Sequence, residues 1–168
     1  MESFSQQQQQ YHNHQIEDTE DFLCKANTTY ALFGRSNSGK TTWIKNFISS
    51  INDVISDCVI PDRLILVYTY FQPHYSEIIK SLKEKNPSVK IEIFDEFPVE
   101  KFQDKNFLTS ENYKHQIILI DDIIITEQIA KILEKLIKID CHHAKCTVTV
   151  FILFLYSYCT SFIAIILY

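Results

Sequence analysis

Gly34-Arg35-Ser36-Asn37-Ser38-Gly39-Lys40-Thr41-Thr42, entered from the apolar run Tyr30-Ala31-Leu32-Phe33, is the stretch on which the reading of this chain turns. Two glycines separated by four residues, then a lysine and a threonine, have the spacing of a phosphate-binding P-loop, in which a strand feeds a glycine-bounded turn and a helix begins at the lysine. Gly34 and Gly39 admit backbone angles and close approaches that a Cβ forbids, so successive N–H groups can curl around an anion. The helix that follows aims its unpaired N–H groups and the positive end of its dipole at the same spot. Lys40 suits the outer phosphates, and the Thr41 hydroxyl suits the Mg²⁺ that accompanies them. The nucleotide-binding set is therefore Gly34, Arg35, Ser36, Asn37, Ser38, Gly39, Lys40, Thr41 and Thr42.

The context agrees. The chain contains only 2 glycines, and both fall where the motif needs them. After the loop, Trp43, Ile44, Phe47 and Ile48 recur at helical spacing and give one apolar face. The competing reading, a bare glycine bend between strand and helix, leaves that coincidence unexplained.

Outward from the loop, 168 residues support one domain with a real core and are too few for two comfortable ones. A net charge of −5 argues against a globally basic nucleic-acid surface, although a local basic patch is invisible in the sum. The 5 cysteines, Cys24, Cys58, Cys141, Cys146 and Cys159, are odd in number and lack framework spacing, which reads as reduced thiols in an intracellular protein.

Residues 1–22 form a polar tail with the tract Gln6 to Gln10, too poor in apolar groups to offset its ordering entropy, so disorder is expected. His12 and His14 lack the rigid support a metal site needs. Residues 23–156 read as the P-loop domain. Its first strand is about Thr28 to Phe33, and its first helix runs to about Ser50. Leu64 to Tyr68 is continuously apolar, as a central parallel strand covered on both faces would be. Pro73 opens a helix carrying Tyr75, Ile78, Ile79 and Leu82 until Asn86-Pro87 stops it. Val89, Ile91 and Ile93 alternate with Lys90 and Glu92, the mark of a half-exposed strand near an edge. Asp95 to Lys114 reads as loop with a helical turn. His115 to Asp122 is a buried-strand run ending in two carboxylates, and Ile129, Ile132, Leu133, Leu136 and Ile137 then share one helix face. Strands alternating with helices predict an α/β fold, a mostly parallel sheet flanked by helices.

An acidic side chain at the carboxyl end of a central strand is where such folds orient Mg²⁺, and Asp121 is the candidate, acting through a water. Asp122 is the candidate general base that polarises the attacking water, which makes Lys40 and Asp122 the catalytic set. The alternative is that the two aspartates cap the next segment or face solvent. A cation that neutralises charge on the γ-phosphate has two arginine candidates. Arg35 lies inside the loop, in reach of phosphate or of a neighbour; Arg63 precedes a strand and reads as solvent-facing, so a cationic finger either comes from another subunit or is absent. Cys141-His142-His143-Ala144-Lys145-Cys146 has zinc-ligand chemistry but no common paired-cysteine spacing, and a structural or nucleotide-adjacent role is expected instead.

Taken in order, several elements resemble the FtsK–HerA class of P-loop ATPases, in particular the genome-packaging type of poxviruses, other large DNA viruses and Maverick/Polinton transposable elements. They are Gly34 to Thr41, the second strand with Gln72-Pro73-His74-Tyr75 after it, Phe94 to Pro98, the Asp121-Asp122 strand end, and His142-His143 before a further apolar strand. The resemblance covers about residues 25–154, and the Gln-Pro-x-Tyr and paired-histidine elements narrow it beyond the P-loop. It implies a RecA-like core commonly assembled as a homo-oligomeric ring. It also implies ATP with Mg²⁺, and double-stranded DNA as the partner translocated into a capsid, at a virion-assembly site or in the nucleus. Two positions depart from the family: Ala144-Lys145 stands where an arginine follows the paired histidines, and Leu153 where the next strand carries a polar sensor, typically glutamine. The family's last strands have no counterpart before Tyr168, so an incomplete, C-terminally truncated core is expected, with a nucleotide-binding remnant that does not hydrolyse as the alternative.

Thr147 to Tyr168 carries no charged side chain. As a helix it would extend roughly 33 Å at 1.5 Å per residue, about a bilayer core, which admits a membrane anchor over 147–168 and a tail-anchored P-loop NTPase. The β-branched and aromatic residues Thr147 to Ile152, and the polar patch Tyr156 to Ser161, read instead as a buried strand followed by an apolar end over 157–168. A third reading makes residues past 155 a frameshifted or mis-spliced remnant.

Overall fold

The computed structural model of the chain describes residues 24–25, 28–35, 37–51, 55–56, 60–104, 106–108, 113–140 and 147–155. The tail over 1–22, Ser36, the cysteine-histidine stretch 141–146 and the segment 156–168 lie outside these residues, and so do the expectations that fall on them.

The elements in chain order are β1 (Cys24–Lys25), β2 (Thr29–Gly34), α1 (Lys40–Ser49), β3 (Ile55–Ser56), β4 (Arg63–Tyr68), α2 (Pro73–Lys85), β5 (Lys90–Phe94), α3 (Val99–Gln103), β6 (His115–Asp121), α4 (Glu127–Lys135) and β7 (Thr147–Leu155). A π-helical turn over Leu136–Asp140 prolongs α4. β1 and β3 make a small parallel pair of their own. The other five strands form one sheet in the order β2-β7-β6-β4-β5, every neighbouring pair parallel. This is the α/β architecture expected, with helices on both faces.

The side-chain period of two sorts each strand between those faces. Leu64 and Leu66 of β4, Ile117 and Leu119 of β6, and Phe151 of β7 pack beneath α1 and α2, against Ile44, Ile48, Tyr75, Ile78 and Leu82. Ile65, Val67, Ile118, Ile120, Val150 and Ile152 point the other way, against Phe102 of α3 and Ile129, Ile132 and Leu133 of α4. Strands covered on both sides have no reason to alternate, which is why β4 and β6 read as unbroken apolar runs. β5, whose pattern does alternate, closes one end of the sheet. Thr126 starts α4 by accepting a hydrogen bond from the Ile129 amide at 3.3 Å.

One expectation is corrected here, and of the two readings of the apolar end the buried strand is the one seen over Thr147–Leu155. Arg63 does not face solvent: it is 3 % exposed. As the first residue of β4 it pairs with Lys90 of β5 on one side and Gln116 of β6 on the other. Its guanidinium donates to Glu92 Oε1 at 2.9 Å and to both the Phe107 carbonyl and Gln116 Oε1 at 2.7 Å. The rings of Phe107 and Tyr113 lie over it at 4.6 and 4.9 Å.

Nor is 147–168 one membrane-spanning helix. Its first nine residues are β7, hydrogen-bonded between β2 and β6, with Thr149, Val150, Phe151 and Ile152 buried. Backbone groups that pair on both sides of a strand satisfy themselves in the sheet, as the β-branched composition favours. Among the described residues no helix is long and apolar enough to cross a membrane.

Candidate functional site

Because all five strands run the same way, their carboxyl ends meet at one edge of the sheet, where open α/β sheets hold ligands. β2 delivers the loop 35–39 to that edge, and α1 starts from it at Lys40. The loop is shaped by left-handed backbone at Asn37 (φ 61°) and Gly39 (φ 88°). Asparagine tolerates that region, whereas at Gly39 a side chain would be strained even though the space around it is open. Gly34 is constrained by space: a Cβ there would collide with the Ser38 hydroxyl oxygen and lie 3.2 Å from its Cβ. The two glycines thus do different jobs, one permitting a close approach and the other a turn into the helix.

Lys40 curls back over the loop, its Nζ donating to the carbonyls of Gly34 at 3.0 Å and Arg35 at 3.1 Å. Its charge therefore sits at the loop itself. The next side chain carries the long-range link: Thr41 Oγ1 donates to Asp121 Oδ2 at 3.2 Å, across 80 residues of sequence. The sheet order explains the meeting. Leu153 of β7 pairs with Leu32 of β2 and with Asp121 of β6, so the loop strand and the aspartate strand lie two strand spacings apart, about 10 Å, a gap that the Thr41 side chain at the start of α1 closes. Thr42, Ser38 and Arg35 are exposed at the mouth, and Ser36 lies outside the described residues.

Asp121 is 3 % exposed. Tyr75, in the first turn of α2, also donates to its Oδ2, at 2.7 Å. Burial pushes the Asp121 carboxyl above the ordinary carboxylate range. The hydrogen bonds from Tyr75 and Thr41 oppose that, the charge of Asp122 adds to it, and Lys40 draws it down. Burial and the adjacent Asp121 charge push the Tyr75 phenol far above its ordinary value, so it remains a neutral donor across the physiological range. Asp122 follows at φ 52°, a left-handed residue that swings the chain off β6 and leaves its side chain half-buried. The structure therefore brings Lys40, Thr41 and the Asp121-Asp122 pair to one place, as the sequence predicts, and keeps Arg63 at the opposite end of the sheet.

Tyr75 is the residue at this place that sequence spacing alone treats only as a position on an apolar face and part of a motif. The signal lies in its chemistry: a phenol among Ile78 and Leu82, fully buried, needs a hydrogen-bond partner, and a carboxylate at a strand end can supply it.

A carboxyl whose pKa is raised by folding contributes stability below its ordinary pKa and loses it as pH rises through the folded value. Burial works against the charged form of Asp121, and the neutral amide of asparagine keeps an acceptor for both donors. Asp121→Asn is thus expected to raise the melting temperature at pH 7.5 by roughly 2–4 °C, a gain that shrinks as the buffer is made acidic. A variant that melts lower at pH 7.5, or whose gain is the same at every pH, would contradict this electrostatic account.

Among the described residues no group of three or more His, Cys, Asp or Glu side chains could hold a metal ion. Thr41 and Asp121 still fit Mg²⁺, which keeps several waters and is commonly held by one or two protein oxygens together with substrate phosphates. The groove between α1 and α2, lined by Lys45, Glu77, Lys80 and Glu84, is bridged by Lys45–Glu77 at 2.8 Å and is solvated surface, not a rival site. Comparison with protein-family models and with curated proteins finds no match to this chain.

Proposed function

We propose that the chain is a Mg²⁺·ATP-binding P-loop NTPase built on a RecA-like core. The observation that carries this reading is the Thr41–Asp121 hydrogen bond, made where the loop, the helix start and the aspartate strand converge. A hydroxyl that gives its proton to a buried carboxylate turns its lone pairs outward, which suits a cation arriving with a triphosphate. Gly34, Arg35, Ser36, Asn37, Ser38, Gly39, Lys40, Thr41 and Thr42 would hold the nucleotide, and Thr41 and Asp121 would hold Mg²⁺, which screens phosphate charge when bound. Asp122, partly accessible beside Asp121, would orient and deprotonate an attacking water. The five-stranded all-parallel sheet flanked by helices is compatible with that core.

The resemblance of motif order to FtsK–HerA-type packaging ATPases carries the reading further, to hydrolysis coupled to movement of double-stranded DNA by a homo-oligomeric ring. One observation favours a second reading, nucleotide binding without turnover: position 153, in register beside Asp121 where a polar sensor is expected, is leucine.

Thermal melts of the purified chain test the binding step. Mg²⁺·ATP should raise the melting temperature progressively with concentration, and a chelator should reverse most of the rise. No shift at millimolar nucleotide sinks the proposal. Phosphate release that is stimulated by double-stranded DNA and lost in Asp122→Asn separates the motor from the non-hydrolysing reading.

A further inference from the structure

We propose that Tyr75 is the positioning residue of the cation site, holding the Asp121 carboxylate from the α2 side while Thr41 holds it from the α1 side. This rests on the reading of Gly34 to Thr42 with Asp121 as a Mg²⁺-nucleotide site. Both donors reach the same oxygen, Oδ2, at 2.7 Å from Tyr75 and 3.2 Å from Thr41. An oxygen pinned from two sides fixes the plane of the carboxylate, and a metal-binding group gains affinity when its orientation is set before the ion arrives.

The phenol is itself held. Its ring is fully buried, stacks on Tyr68 at 5.1 Å and 24°, and receives Phe71 edge-on at 5.8 Å. Tyr68 is the residue of β4 paired in register with Asp121 of β6, so the ring that clamps Tyr75 stands on the neighbouring strand at the same level as the carboxylate. Pro73 at the first turn of α2 presets the backbone from which Tyr75 projects. The competing account is a buried tyrosine that has merely found its nearest acceptor. That account predicts a loss of fold stability and nothing specific to the metal.

The experiment titrates Mg²⁺ into the full chain with a fluorescent ATP, comparing wild type, Lys40→Ala and Tyr75→Phe, with nucleotide affinity also measured in chelator. Wild type should bind, and Lys40→Ala should bind about a hundredfold more weakly. Tyr75→Phe should need about tenfold more Mg²⁺ for half-saturation, with its Mg²⁺-free nucleotide affinity unchanged. A folded Tyr75→Phe with wild-type Mg²⁺ dependence overturns the role of Tyr75 and leaves the nucleotide site standing. Failure of wild type to bind overturns both. Should Tyr75→Phe not fold, 3-fluorotyrosine placed at position 75 keeps ring and hydroxyl. Its fluorine resonance should move on adding Mg²⁺ to the nucleotide-bound protein, and a resonance that does not respond overturns the proposal.

Discussion

Lys40→Ala is expected to lower the affinity of the chain for Mg²⁺·ATP by roughly a hundredfold, while its melting temperature without ligand should change little. The two halves of this result have different origins. Without nucleotide the ammonium donates to two carbonyls at the partly exposed start of its own loop, Gly34 O and Arg35 O, where water can take its place, so little fold stability goes with it. Against a triphosphate the same group would make charge-assisted bonds worth about 1.5–3 kcal/mol each, and two of them at the lower end of that range account for a factor on the order of a hundred. Lys45 is the control: it lies on the same helix, is paired with Glu77 at 2.8 Å and points away from the loop, so Lys45→Ala should leave affinity as it is. Isothermal titration of the three proteins is the measurement. Equal affinity in wild type and Lys40→Ala would mean that the turn is a bend and not an anion cradle.

How much of this was legible beforehand varies with the kind of physics that decides each feature. The loop and its neighbours were legible because their demands are local: a left-handed residue at Gly39, no room for a Cβ at Gly34, a lysine and a hydroxyl in consecutive places at a helix start. The strand ending in Asp121 was legible because a run buried on both faces cannot alternate. The position of β7 between the loop strand and the aspartate strand was not, since nothing in Thr147–Leu155 says which strands it will separate, and its hydropathy serves a bilayer as well as a core. The Tyr75–Asp121 bond was hidden for a related reason. Helical periodicity counts the tyrosine as one more apolar residue, and only the folded arrangement places its hydroxyl within 2.7 Å of a carboxylate 46 positions away. Arg63 misled because charge next to a strand start usually means solvent, whereas here β5, β6 and the residues around Phe107 and Tyr113 close over it.

That enclosure sets the other large effect. Arg63→Met should destabilise the fold by about 3–5 kcal/mol, a large share of the roughly 5–15 kcal/mol that holds a domain together. Methionine fills much of the volume under Phe107 and Tyr113 but leaves Gln116 Oε1 and the Phe107 carbonyl without their 2.7 Å donors, and Glu92 with Lys90 alone. Arg63→Lys should recover only part of the loss, because an ammonium cannot span Glu92, Phe107 and Gln116 as a planar fork does. Burial pushes the Glu92 carboxyl up, yet hydrogen bonds from Lys90 and Arg63 outweigh it and hold the group below the usual range. A carboxylate of that kind contributes stability above its ordinary pKa and loses it as pH falls through the folded value. The gap between wild type and Arg63→Met should therefore narrow in acid, which urea melts at neutral and acidic pH will show. Arg63 opens β4 and the glycine-bounded loop lies past its other end, about 20 Å away along six residues of strand, so the folded fraction of the variant should have the same affinity for Mg²⁺·ATP as wild type. A variant that melts like wild type at neutral pH would reverse this assignment and show that the buried guanidinium carries little of the fold's stability.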